Sequence, residues 1–149
     1  MKRYAIYLSD QNRRPSQRAE ALRFLGHFVA DLHQPLHVGN KEDRGGNDIH
    51  VFWQQEPETQ RLHGLWDGTI PRAMGLLDDA EFSQIIREIS DEEEKAWSVV
   101  DIDSWARESF ELARTMVYRS VKDESLKSGD YLQDAYFERA QPIVKQRVQ

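Results

Sequence analysis

Between residues 17 and 33 the apolar side chains Ala21, Leu22, Phe24, Leu25, Phe28, Val29 and Leu32 recur at helical intervals. The period predicts an amphipathic helix with Ser16 as its N-cap, stopped by Pro35, because proline disfavours helical backbone in the residue before it. Residues 39–48, GNKEDRGGND, are dense in Gly, Asn and Asp and read as a loop. In IHVFW the period changes to two, with Ile49, Val51 and Trp53 on one side and His50 and Phe52 on the other; QQEPETQ then turns the chain, which predicts a small hairpin. From about residue 62 the pattern is helical again. Phe82, Ile85, Ile86 and Ile89 share one face of DDAEFSQIIREI, and SDEE at 90–93 has the form of a capping box opening the next helix. Asp103 or Ser104 is expected to cap a longer helix with Trp105, Leu112, Met116 and Val117 as core positions, and Asp130 to open a last helix bent or ended near Pro142. The sum is an all-α fold with a minor hairpin.

At 149 residues the chain is long enough for one domain with a sizeable core, so residues 1–149 are taken as one unit. With 39% hydrophobic and 31% charged residues and a mean hydropathy of -0.75, it belongs with soluble globular chains and is too apolar for a disordered one. No apolar run is long enough to cross a bilayer, and the opening MKRYAIYLSD lacks the apolar core and cleavage pattern of an export signal. A net charge of -6 argues against a broad basic surface for duplex DNA. It does not exclude a phosphodiester bound at metal ions, which carry their own positive charge.

The chain has no cysteine, so a metal must be held by His, Asp and Glu. All five histidines fall between His27 and His63. His27 and Asp31 stand four apart on the first predicted helix, on one face, which suits either a local ion pair or two metal ligands. His63 and Asp67 repeat that spacing in HGLWD, and His37 follows Pro35. Imidazole nitrogen and carboxylate oxygen are both zinc ligands, and three protein ligands with one open position make a catalytic arrangement, which His37, His63 and Asp67 can supply. A second ion would need His27 and Asp31 plus ligands from elsewhere. His33 lies off the His27 face and His50 alternates with apolar strand residues, so both are expected at the surface or in a supporting role.

ALRFLGHFVADLHQPLHVG, DRGGNDIHVFW and LHGLWD, in that order, resemble the S1/P1 nuclease family, zinc-dependent enzymes that cut single-stranded DNA and RNA and remove 3'-phosphates from nucleotides. The resemblance implies a helical fold of the phospholipase C/P1 nuclease type holding three zinc ions. His27 and Asp31 would then be ligands of the buried zinc, Asp31 bridging to a second, while His37, His63 and Asp67 hold the third. Gly45 and Asn47 would be substrate-binding residues at the nucleobase, although a plain tight turn explains the paired glycines equally well. Family members complete the cluster with an N-terminal tryptophan and upstream His and Asp ligands, and no histidine or tryptophan precedes His27 here. The chain therefore resembles the C-terminal part of such an enzyme, with one zinc site whole. Little hydrolysis by the chain alone is expected, together with self-association through apolar surface left uncovered. A zinc phospholipase C and a non-catalytic zinc domain closed by a fourth ligand such as His33 or Asp48 remain alternatives. Family members are generally exported, which implies a secreted or periplasmic protein and a nucleic acid or nucleotide partner rather than a membrane.

Overall fold

In the computed structural model, which describes residues 1–54, 56–76, 78–97, 101–119, 121 and 134–148, the longest helix is α2, Pro15–His33. It begins one residue before the expected Ser16 cap. Pro15 has the backbone angle a first helical turn needs, and the Gln17 side chain accepts a hydrogen bond from the Arg14 amide at 3.2 Å, leaving Ser16 inside the first turn. Before it stands α1, Lys2–Ser9, a helix the apolar pattern did not announce. Tyr4 of α1 stacks on Phe24 with ring centroids 4.9 Å apart, and Arg18 of α2 donates to the Leu8 carbonyl at 3.0 Å, so the two helices form a hairpin.

The apolar stripe of α2 is only partly covered. Ala21 is buried, but Leu22 is 56% and Phe24 39% exposed, so apolar surface is left uncovered on this helix. Periodicity identifies which face is apolar, not what lies against it. The helix ends where predicted, and Pro35–Val38 continues as one turn of 3-10 helix that buries Pro35 and Leu36. The buried Ser109 hydroxyl donates to the Leu32 carbonyl at 2.7 Å, satisfying a backbone acceptor at the C-terminal end of α2 and tying a later helix to it.

After the loop come β1, His50–Phe52, and β2, Thr59–Arg61, antiparallel with Val51 opposite Gln60. Val51 and Trp53 are buried and His50 is exposed, as the alternation requires. The chain then enters a short helical run: α3, Leu62–Gly64, a π-helical turn over Leu65–Thr69, and α4, Ile70–Ala73. Leu62, Leu65, Trp66 and Ile70 from this run are all buried and form the middle of the core.

Helix α5, Asp79–Arg87, leaves Phe82 39% exposed, so its expected apolar face is not buried there; the side chains of Ile85 and Ile86 lie outside the described residues. The capping box ahead of α6, Asp91–Trp97, forms as read: the Ser90 amide donates to the Glu93 carboxylate at 3.0 Å and the Glu93 amide to the Ser90 hydroxyl at 3.3 Å. For α7, Ile102–Leu112, the cap is Asp101 rather than Asp103 or Ser104, its carboxylate accepting from the Ser104 amide at 3.0 Å. Extended backbone at Asp101 lets its side chain reach the third amide, and Asp103 falls in the first turn, where a negative charge suits the helix dipole. A second π turn, Ala113–Val117, follows, in which Ala113 and Val117 are buried and Met116 only partly so.

Asp130 lies outside the described residues. Helix α8, Asp134–Val148, runs through Pro142 instead of ending there. It closes the core: the Trp66 indole donates to the Tyr136 hydroxyl at 2.9 Å, and Phe137 meets Trp53 edge-on. The fold is all-α with one small hairpin, as expected.

Candidate metal centre

Three side chains from two places meet above the π turn. His37 sits in the 3-10 turn after α2, His63 in α3, and Asp67 inside the π turn itself. One ligand atom from each lies within 4.8 Å of the others, a spacing that suits a shared ion. The His63 Nε2 is 3.2 Å and the His37 Nε2 3.5 Å from the Asp67 carboxylate, and the two imidazole rings stack at 5.0 Å. Widening the helix at Leu65–Thr69 moves Asp67 relative to a regular four-residue step; such turns recur at functional sites.

The supporting contacts aim these ligands. His63 Nδ1–H donates to the Gly45 carbonyl at 2.8 Å, which leaves Nε2, 3.2 Å from Asp67, free to bind a shared ion. His37 Nδ1 lies 3.3 Å from Asp31, which gives its Nε2 the same freedom. Gln34 donates to Asp67 at 2.6 Å while its own oxygen accepts from the Leu36 amide, so the amide is held at both ends.

Asp31 also lies 3.2 Å from His27, whose side chain is 66% exposed. His27 and Asp31 thus adjoin the three-ligand group through His37 but bring only two ligands of their own. The remaining histidines stand apart: His33 Nδ1 is 2.7 Å from the Val29 carbonyl and its ring packs on Trp105, while His50 points outward on β1. Asp48 is paired with Arg44 at 2.8 Å. Neither His33 nor Asp48 turns toward the centre to close it.

An open pocket of about 830 Å³ faces the site, lined by Phe28, Asp31, Leu36, His37, Gly45 and His63 among others. Gly45 reaches it, whereas the Asn47 side chain donates to the Arg44 carbonyl at 3.0 Å within the loop. Arg44, Gly45 and Gly46 all have positive φ, 54°, 64° and 80°, so the loop makes a left-handed bend beside the ligands.

Sequence patterns missed three residues that shape this centre. Gln34 carried no signal beyond its place before Pro35. Asp43 precedes Gly46 by three and has the form of an Asx-type turn residue, a readable cue. Its carboxylate accepts from the Gly46 amide at 2.8 Å and from the Tyr118 hydroxyl at 2.9 Å. Tyr118 had no local cue, since its partner lies far away along the chain. Burial pushes its phenol up to about 12, so it remains a donor at neutral pH. Because that value lies above the ordinary 10.0, the hydroxyl's stabilisation is complete below about pH 10 and is lost as pH rises toward 12. Alkaline unfolding should therefore be steeper between pH 10 and 12 in the native protein than in Tyr118→Phe, and equal slopes would remove this linkage.

A sequence profile of the S1/P1 nuclease family matches residues 1–149 throughout. The chain belongs to the S1/P1 nuclease family. Among relatives, Endonuclease 2 of Arabidopsis thaliana is 35% identical over 143 residues, covering 87% of this chain and 47% of its own. Nuclease S1 of Aspergillus oryzae is 28% identical over 152 residues, covering 89% of this chain and 50% of its own. Nuclease P1 of Penicillium citrinum is 38% identical over 81 residues, or 52% of this chain and 29% of its own. The chain spans about half the length of the first two relatives. S1/P1 nucleases are zinc enzymes, and the His37, His63 and Asp67 group has the donor atoms zinc prefers.

Proposed function

We propose that this S1/P1 nuclease-family chain takes part in zinc-dependent hydrolysis of phosphodiester bonds in single-stranded DNA or RNA and of 3'-phosphates. The observation that carries the reading is the convergence of His37, His63 and Asp67 beside an open pocket. These three residues would hold one zinc, and His27 and Asp31 would contribute to neighbouring ions. Zinc bound there supplies positive charge for a phosphoryl group and lowers the pKa of a water molecule.

This chain's own residues do the rest. Gly45 O and Asp31 orient His63 and His37 so that their Nε2 atoms face the ion, and Gln34 holds Asp67. Gly45 and Asn47 are our candidates for the nucleobase contact, in a loop whose bend brings backbone close to the pocket. A base can enter such a pocket only when its face is free, which selects unpaired strands. Lys41 and Arg44 line the same pocket and provide cations for the flanking phosphates.

Family membership favours a nucleic acid over a lipid substrate. A closed structural zinc site needs four ligands, and the orientation of His33 and Asp48 argues against it. By the same family resemblance we place the protein outside the cytoplasm; among the described residues no helix is long and apolar enough to cross a membrane. We propose further that the chain self-associates through the exposed Ile6, Leu22 and Phe24 of the α1–α2 hairpin.

The test is incubation of the zinc-supplied protein with a labelled single strand, its duplex and a lecithin. Slow cleavage of the single strand, stopped by chelator, is expected; the rate should be low because His27 and Asp31 leave their site short of ligands. Equal cleavage of duplex, or hydrolysis of lecithin alone, would overturn the reading.

A further inference from the structure

We propose that Asp43 and Tyr118 are positioning residues for the metal centre, acting through a single peptide group that sets the orientation and tautomer of His63. The connecting group is the peptide joining Gly45 to Gly46. Its carbonyl accepts from His63 Nδ1–H at 2.8 Å, and its N–H donates to Asp43 Oδ1 at 2.8 Å. In a planar trans peptide these two groups point in opposite directions, so whatever fixes the N–H also fixes the carbonyl.

The residues on either side are anchored, the Gly45 amide donating to the Asn40 carbonyl at 2.8 Å and the Gly46 carbonyl accepting from the His63 amide at 3.3 Å, but between two glycines the tilt of the peptide itself still has to be set. Asp43 supplies the restraint. The carboxylate also polarises the peptide, which makes the Gly45 oxygen a better acceptor and the far nitrogen of His63 more electron-rich.

Asp43 in turn is held by Tyr118. The phenol donates to the same Oδ1 at 2.9 Å and accepts from the Asn40 amide at 3.2 Å, clasping both sides of the loop. Tyr118 closes the π turn at Ala113–Val117, its amide donating to the Ala113 carbonyl at 2.8 Å, and the neighbouring Val117 is fully buried. A rigid core element therefore reaches the His63 imidazole through three hydrogen-bonded groups: the phenol, the carboxylate and the peptide. Outer partners of this kind commonly change metal affinity by about 10–100-fold when removed.

The inference rests on the reading of His63 as a zinc ligand, so its test separates orientation from chemistry. In metal-free protein, nitrogen-15 NMR of the histidine side chains should show a proton held on His63 Nδ1 by its hydrogen bond to the Gly45 carbonyl. Asp43→Asn and Tyr118→Phe should each loosen that hydrogen bond, read as faster exchange of the Nδ1 proton, and zinc affinity measured against a chromogenic chelator should fall by about 10-fold. Tyr118→Phe keeps the ring and loses only the hydroxyl, so it carries the test should Asp43→Asn fail to fold. Unchanged exchange of the His63 Nδ1 proton with unchanged zinc affinity in a folded variant would overturn the proposal, whatever the change in thermal stability. If the variants loosen the Nδ1 hydrogen bond and weaken zinc binding while the parent protein hydrolyses lecithin alone, the nuclease reading falls and the positioning role stands.

Discussion

Replacing His63 with alanine is expected to take the bound zinc from about one per chain to none, as read by elemental analysis of protein purified without chelator. Of the three convergent ligands, His63 has the best-determined geometry: its Nδ1 is committed to Gly45 and its Nε2 faces Asp67, with the side chain only 19% exposed. Two remaining ligands, His37 and Asp67, fall below the three that an open zinc site uses. The loss should also appear thermodynamically. Zinc at about 100 times its dissociation constant stabilises a folded protein by about 2.7 kcal/mol, which for a chain of this size is a rise in midpoint of roughly 5–10 °C. That rise should vanish in His63→Ala and persist in His33→Ala, because His33 is turned onto the Val29 carbonyl and away from the centre. Zinc retained by His63→Ala would remove it from the ligand set.

The contrast between His63 and Tyr118 shows which parts of the centre were legible beforehand. His63 and Asp67 stand four apart on one helical run, and His27 and Asp31 likewise, so their pairing is a local matter of helical geometry. The Ser90–Glu93 capping box and the alternation of Val51 and Trp53 were readable for the same reason. Tyr118 reaches Asp43 only because α7 folds back across the 3-10 turn, and no spacing rule spans that distance. The π turn that carries Asp67 was equally hidden, since a single widened turn leaves the apolar pattern almost unchanged. Leu22 and Phe24 illustrate a different limit. Their period assigns them correctly to the apolar face of α2, but whether that face is covered depends on what packs there. Helix α1 escaped notice for a related reason: it is ordered by Tyr4 meeting Phe24 and Phe28, contacts between segments rather than a pattern within one.

Gly45→Ala should be among the most damaging single-methyl changes in the molecule. Two separate penalties coincide. The backbone φ of 64° costs a residue with a Cβ about 1–2 kcal/mol, and the new methyl would stand 2.5 Å from the Leu36 carbonyl oxygen. That oxygen cannot move freely, because Leu36 is buried in the core and its carbonyl accepts from the Gly39 amide. Relief must therefore come from the loop, with an overpacking cost of about 1–3 kcal/mol in addition. The combined loss, on the order of 3 kcal/mol, corresponds to a fall in midpoint of roughly 6–12 °C. Displacing Gly45 also withdraws the carbonyl from His63, so zinc binding should weaken beyond what the stability loss explains. Gly46→Ala separates the two effects. Its φ of 80° carries the same backbone strain, but its methyl would meet only the side chains of Leu36 and Leu62 at 3.4 Å, an ordinary contact. It should lose stability without a comparable loss of zinc. If both variants bind zinc equally and melt together, the close approach to Leu36 does not govern the geometry of the centre, and the bend of the loop alone would have to account for the orientation of His63.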